Sequence, residues 1–253
     1  MLLVAGPSLL ESEKVVFTVA EELKKLSEKH PRLQVIFKGS FDKPHYDSFF
    51  GTRGNGMEAG LRLLTEVKNQ FGLPVMTDVH ERYQVEPVSI VCDALQIPSQ
   101  LCQQTDLVMD AAKSGCALNI RKGSHLSPME TLGIAEKIEC SRAAEIWITE
   151  RGTTFGYENR AVDMRAFTIL KRAECPILLD ATAVSKMPGW KTPKETPASV
   201  FALPMARAAL VAGADGLSLE IHPEPENALV DNATQLPLGQ LGRFIEECLK
   251  LRG

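Results

Sequence analysis

Short apolar runs alternate along the chain with longer stretches in which apolar residues return at helical spacing. The short runs are Leu2–Ala5, Val35–Phe37, Pro74–Thr77, Ala94–Ile97, Ala117–Ile120, Glu145–Thr149, Ile177–Leu179 and Gly216–Leu219. They are continuous rather than alternating, the pattern of strands buried on both faces. Between them, Val15, Val16, Val19, Leu23 and Leu26 mark one helix, with Ser12 placed as its N-cap. Met57, Leu61, Leu64, Val67 and Phe71 mark a second helix, and Leu238, Leu241, Ile245 and Leu249 close the chain. Eight such units in 253 residues, with no linker or shift in composition, predict an α/β chain folded as a (β/α)₈ TIM barrel, one domain over 1–253. A doubly wound open sheet is the alternative. It would want a GxGxxG turn after the first strand, and AGPSLLES has none.

A barrel puts its active site where strands end and βα loops begin. Those junctions read Gly6-Pro7-Ser8, Lys38-Gly39-Ser40, Asp78-Val79-His80 and Gln96 in the first half. The second half supplies Asn119-Ile120-Arg121-Lys122, Glu150-Arg151-Gly152, Asp180 and Glu220-Ile221-His222. Lys38, Lys43, Arg121, Lys122 and Arg151 face Asp78, Glu220 and Asp231 in this inventory. Lysine and arginine aimed into one cavity suit a phosphate and a carboxylate, the planar guanidinium binding two oxygens at once. The plainer alternative is that these cations pair with neighbouring acids on the rim. The loop KGSFDKPHYDSFFGTRGNG, from Lys38 to Gly56, is too polar and glycine-rich for core, and its first half suits a small polyanion.

Charge and composition narrow the classes. A net charge of -4 and a pI near 5.8 argue against a non-specific nucleic-acid surface. No apolar run approaches the ~18 residues of a membrane span, and MLLVAGP reads as a first strand rather than a signal peptide. Six cysteines without a CxxC pair read as reduced core cysteines of a cytoplasmic enzyme. His30 and His125 fall in loops and read as solvated. His80 and His222 could form a metal site with Glu220, or fix loops within TDVHE and EIHPEP. The methionines and Trp147 lie on apolar periods and read as core. Trp190, in MPGWKTPKETP, is either a lid over the site or an exposed turn.

FKGSFDK, TDVHE, QIP, QTDL, NIRKG, TERGTTFGY, AVDM, DAT, EIHPEPENAL and TQLPL together resemble the 3-deoxy-D-manno-octulosonate 8-phosphate synthase family, relatives of the heptulosonate synthases. The resemblance runs from AGP near the start to TQLPL near the end. It implies a (β/α)₈ barrel, usually a homotetramer, that condenses phosphoenolpyruvate with arabinose 5-phosphate in carbohydrate biosynthesis. By the same resemblance, Lys38, Ser40, Lys43, Gln96 and Arg151 bind phosphoenolpyruvate. Arg121 joins them where the family has the first lysine of NVKK. Lys43 and Asp78 would manage protons near the new bond, and Glu220 or Asp231 would position water.

Three departures modify what the resemblance implies. Metal-dependent relatives use a cysteine, a histidine, a glutamate and an aspartate at positions that read Ser8, Ala183, Glu220 and Asp231 here, so no metal and no other cofactor is expected. Ala183 also removes the family histidine that contacts phosphoenolpyruvate. The sugar-phosphate motif KANRSS is replaced by Lys43-Pro44-His45-Tyr46-Asp47-Ser48, so Tyr46 stands for its arginine. A second arginine, supplied in the family by a neighbouring subunit, is Gln103. Losing two charged hydrogen bonds costs roughly 3–6 kcal/mol, about two to four orders of magnitude in affinity. The acceptor, contacted by His45, Tyr46, Asp47, Ser48, Arg53 and Gln103, is then expected to be an unphosphorylated aldose. The alternatives are a non-catalytic phosphoenolpyruvate-binding paralogue and a metal-dependent hydrolase on the same fold.

Overall fold

The computed structural model describes residues 1–44, 49–139, 145–157, 159–187, 189 and 197–252. Its elements run in order as β1 (Leu2–Gly6), α1 (Glu13–Lys29), β2 (Gln34–Lys38), α2 (Gly56–Phe71), β3 (Val75–Asp78), α3 (Arg82–Val91), β4 (Ala94–Ile97) and α4 (Thr105–Ala112). Then come β5 (Ala117–Arg121), α5 (Pro128–Glu139), β6 (Glu145–Glu150), a hairpin of β7 (Thr153–Thr154) and β8 (Arg160–Ala161), and α6 (Arg165–Leu170). The chain ends with β9 (Ile177–Asp180), α7 (Pro197–Val211), β10 (Gly216–His222), β11 (Leu236–Pro237) and α8 (Leu241–Leu249). Strands β1 to β6, β9 and β10 pair in parallel, and β1 pairs with β10 to close the barrel. The expected (β/α)₈ architecture is therefore the observed one. The short hairpin and β11 were not anticipated.

Helix assignments follow their periodicity. Ser12 caps α1, its hydroxyl accepting from the Val15 N–H at 3.3 Å. Val16, Val19, Leu23 and Leu26 bury the face that the sequence marks. Most strands run one to three residues further than their apolar cores, so Gly6, Lys38, Asp78, Arg121, Glu150 and Asp180 end strands rather than begin loops. That extension matters for the site, because a strand fixes side-chain direction by its two-residue alternation.

Alternation splits each strand into an outward and an inward set. Leu3, Ala5, Val35, Phe37, Leu95, Ile97, Ile120, Leu179 and Leu217 belong to the large core shared with the helices. Leu2, Val4, Met76, Ala94, Trp147 and Leu178, with Ile36 and Ala117 against them, form a separate apolar plug inside the barrel. Two residues further along the same strands, the inward set turns polar. Ile36 leads to Lys38, Met76 to Asp78, Ala94 to Gln96, Ala117 to Asn119 and Arg121, and Leu178 to Asp180. Gly6 holds the corresponding place on β1, where a Cβ would lie 2.0 Å from the carbonyl oxygen of Lys38. Any larger residue there would separate β1 from β2.

Trp147 is core, as expected, but Met129 and Met187 are about half exposed and do not belong to it. The described cysteines are all free; Cys92, Cys102, Cys116 and Cys248 are buried and Cys175 partly so. Cys140 and Trp190 lie outside the described residues. Among the described residues no helix is long and apolar enough to cross a membrane.

Candidate active site

The polar layer above the apolar plug is braced by amides before any charge enters. The Thr149 hydroxyl donates to Asn119 Oδ1 at 2.8 Å, Asn119 Nδ2 to Gln96 Oε1 at 2.7 Å, and Gln96 Nε2 to Asp78 Oδ1 at 2.6 Å. This chain crosses four neighbouring strands, β6 to β3, and leaves Asp78 oriented by its last member. The other Asp78 oxygen accepts from Ser40 Oγ and pairs with Lys38 Nζ at 2.8 Å.

Each deep cation faces a carboxylate. Lys43 lies 3.2 Å from Asp231 and 4.0 Å from Glu220. Arg121 is bonded to Asp180 and lies 3.8 Å from Glu220, while Arg151 Nε lies 3.8 Å from the same Asp180 oxygen. The rim pairing considered as the plainer alternative therefore does occur, but inside the cavity and between the site residues themselves. Burial penalises charge, yet the opposite charges win at several positions. Burial would raise Asp78, but Lys38, His80 and Arg121 hold it well below the carboxylate range. Asp180, pushed up by burial and down more strongly by Arg121 and Arg151, falls to about 2. Burial lowers Lys43, and Glu220, Asp231 and Asp78 more than restore it. Arg151 behaves oppositely: burial and then its neighbours Arg121 and Arg160 push it down. The Nε atoms of Arg121 and Arg151 are buried without a hydrogen-bond partner among the described residues. Two unsatisfied guanidinium donors in one cavity are what an oxyanion would satisfy.

Ser8, Glu220 and Asp231 hold an ammonium group between them. Lys43 Nζ donates to Ser8 Oγ at 2.7 Å, and Ser8 Oγ donates on to Asp231 Oδ2 at 2.6 Å. Gln235 fixes this corner, its Oε1 accepting from the Ser8 N–H at 3.1 Å and its Nε2 donating to the Val230 carbonyl. Ala183, on the turn after β9, offers no donor atom to a metal. Hydroxyl, two carboxylates and a lysine cation do not make a transition-metal site. His222 does not contribute either. Its Nε2 lies 2.8 Å from Glu11 and its Nδ1 accepts from the Glu224 N–H, so it fixes a loop as one of its two readings had it. His80 lines the cavity, its Nδ1 buried with no hydrogen-bond partner among the described residues, and burial lowers its pKa.

The cavity is lined by Lys43, Asp78, Glu220, Arg121 and Arg151 together with Arg160, Ala183 and Lys186. Thus Lys43, Asp78, Glu220, Asp231, Arg121 and Arg151 line one space, and Lys38, Ser40 and Gln96 support its floor. Lys122 does not join them. It is fully buried, donating to the carbonyls of Gly123, Leu126 and Gly152, and so anchors the loop that carries Arg151. Of the expected acceptor residues, His45, Tyr46, Asp47 and Ser48 lie outside the described residues. Arg53 makes a bidentate pair with Asp42 at 2.6 and 2.5 Å in an adjoining cleft that shares His80 with the main cavity. Gln103 is exposed, its Oε1 3.1 Å from His125 Nε2. Sequence reading missed Arg160 and Lys186, which lie beyond strand ends where no periodicity marks them, and Ser99, which accepts from Arg151 at 2.7 Å.

Comparison with known proteins agrees with this geometry. Residues 1–252 match the DAHP synthetase I family. A 2-dehydro-3-deoxyphosphooctonate aldolase of Syntrophotalea carbinolica is 39% identical over 249 residues, 98% of this chain and 90% of the relative. One of the same name from Campylobacter jejuni strain 81-176 is 40% identical over 263 aligned positions, covering 100% of this chain and 96% of the relative. A third, from Geobacter metallireducens, is 40% identical over 95% of this chain and 88% of its own length. The resemblance carried by the motifs is borne out along the whole chain.

Proposed function

Since the chain belongs to the DAHP synthetase I family, we propose that it condenses phosphoenolpyruvate with an aldose. The observation that carries this reading is the convergence of Lys43, Arg121 and Arg151 on one cavity, with Lys38 paired to its Asp78 and the Nε donors of both arginines unsatisfied among the described residues. In the reaction, C3 of phosphoenolpyruvate attacks the acceptor aldehyde, water adds at C2, and the C2–O bond to phosphate breaks. The product is a 3-deoxy-2-ulosonate and inorganic phosphate. Lys43 lies where it can donate a proton to the new alkoxide, and Asp78, held ionised, aligns Lys38 and Ser40. Glu220 and Asp231 flank Lys43 and would orient the attacking water. Cytoplasmic location and a homo-oligomer, a tetramer by analogy with the family, complete the reading. Exposed Phe49 and Phe50, stacked edge to face beside the acceptor loop, support subunit contact there.

An unphosphorylated aldose suits the acceptor side better than arabinose 5-phosphate, because Tyr46 and Gln103 supply no cation. A second reading, a paralogue that binds phosphoenolpyruvate without turnover, is favoured by Ala183 where relatives use histidine. Incubation with phosphoenolpyruvate and a panel of aldoses, with and without a 5-phosphate, separates the two. Phosphate release that depends on an aldehyde supports the enzyme. Calorimetric binding of phosphoenolpyruvate, weakened in Arg151→Ala but with no turnover on any aldose, supports the paralogue. Equal binding by wild type and Arg151→Ala would remove the pocket from this cavity.

A further inference from the structure

Arg160 lines the cavity from β8, together with Arg151 and Ala183. The backbone holds it there. It pairs across the hairpin with Thr154, and Gly152, at φ +82°, passes directly beside it. A Cβ on Gly152 would lie 3.2 Å from the Arg160 Cβ and 3.5 Å from Val184 Cγ1. Gly152 therefore lies close to both Arg160 and the Val184 turn, and Ala183 of that turn lines the same cavity. The side chain is half-buried, and its guanidinium has no hydrogen-bond or ion-pair partner among the described residues. Its one local bond is from the backbone N–H to Asn159 Oδ1.

Every other deep cation is already matched. Lys38, Lys43, Arg121 and Arg151 are four positive charges, and Asp78, Asp180, Glu220 and Asp231 are four negative ones. The floor is thus neutral overall, although a phosphorylated carboxylate arrives with two to three negative charges. The surplus comes from Arg160, with exposed Lys186 on the far side of Ala183. Arg121 at the end of β5, Arg151 just after β6 and Arg160 on β8 all line this cavity. Three guanidiniums on one cavity match the terminal oxygens of a phosphate.

We propose that Arg160 is a direct ligand of the phosphoenolpyruvate phosphate, clamping it together with Arg151. The assignment rests on the phosphoenolpyruvate reading above. The repulsion that Arg160 and Arg121 exert on Arg151 is then relieved when the oxyanion lies between them.

Calorimetry with phosphoenolpyruvate, and separately with inorganic phosphate, tests this on wild type, Arg160→Gln, Arg160→Lys and Arg151→Ala. Melting curves confirm that each variant is folded, and Arg160→Lys retains the bulk and charge should Arg160→Gln fail to fold. Loss of one charged contact weakens binding about 10- to 100-fold. Arg160→Gln is expected to show that loss with both ligands, and Arg160→Lys a smaller one. In turnover, KM for phosphoenolpyruvate rises while KM for the aldose stays unchanged. If Arg160→Gln binds both ligands as wild type does while Arg151→Ala does not, the Arg160 assignment fails and the phosphoenolpyruvate reading stands. A rise in the aldose KM alone transfers Arg160 to the acceptor and likewise overturns it. Wild type that binds neither ligand overturns both readings together.

Discussion

The floor and the mouth of the cavity are built on different principles. On the floor, strands deliver Lys38, Asp78, Gln96, Asn119, Arg121, Asp180 and Glu220, amides brace one another from β6 to β3, and with Lys43, Arg151 and Asp231 from the following loops four cations meet four carboxylates. Direction for the strand residues comes from the pleat, so they can be misplaced only by shifting a whole strand. At the mouth, Arg53 turns to Asp42, Gln103 to His125, and the Arg160 guanidinium has no hydrogen-bond or ion-pair partner among the described residues. Loops hold these groups, and a loop residue can change without disturbing the barrel. The contrast is what the proposed function requires of a chain 39–40% identical to its relatives, a floor held by the barrel and a mouth free to vary.

If the mouth alone sets the acceptor, it should be convertible. Tyr46→Arg with Gln103→Arg is expected to raise affinity for arabinose 5-phosphate by about two to four orders of magnitude. Competition against unphosphorylated arabinose measures this, and a wild type that already prefers the phosphorylated sugar would show that the acceptor site was never lost.

The floor, by contrast, should tolerate no single change of charge. Asp180→Asn leaves Arg121 and Arg151 buried with weakened pairing and is expected to cost about 3–5 kcal/mol of stability in urea unfolding. A loss below about 1 kcal/mol would mean that the floor is no more cooperative than the mouth.

Acid should find the same weakness. Asp78 and Asp180 have folded pKa values depressed below the ~3.9 of an unfolded aspartate. Their contribution is therefore complete above about pH 4 and is lost as pH falls through the folded values, near 2 for Asp180. Stability followed from pH 5 to 2 should decline steeply, and Asp180→Asn should flatten that decline. An unchanged slope would place the acid-sensitive groups elsewhere.

The smallest expected effect is none. Prolonged treatment with a chelator should leave phosphoenolpyruvate binding and turnover unchanged, because Lys43 already supplies the positive charge between Ser8 and Asp231. Activity lost to the chelator and restored by zinc or manganese would show that the floor has donors beyond these, with His80 the first to examine.

Much of the floor was legible in the chain itself. Continuous apolar runs set eight strands, and a strand's two-residue period then commits Lys38, Asp78, Gln96 and Asp180 to the interior once the apolar residue two places earlier is known to be inside, and Arg121 once Ala117, four places earlier, is. Ser12 as a helix cap is equally local, one hydroxyl meeting one N–H three residues away. Ion pairing was not legible. Arg121 with Asp180 and Lys43 with Asp231 join residues 59 and 188 positions apart, and only closure of the barrel brings them within reach. Lys122 shows the same limit, adjacent to Arg121 in sequence yet turned away by the pleat to hold three carbonyls. Arg160 belongs wholly to the tertiary structure. Its hairpin carries no periodic signal, and the close pass at Gly152 brings that hairpin against the turn after β9. Period and local hydrogen bonds are properties of neighbours in sequence, whereas the charge a cavity presents is a sum over strands and loops that only the closed barrel assembles.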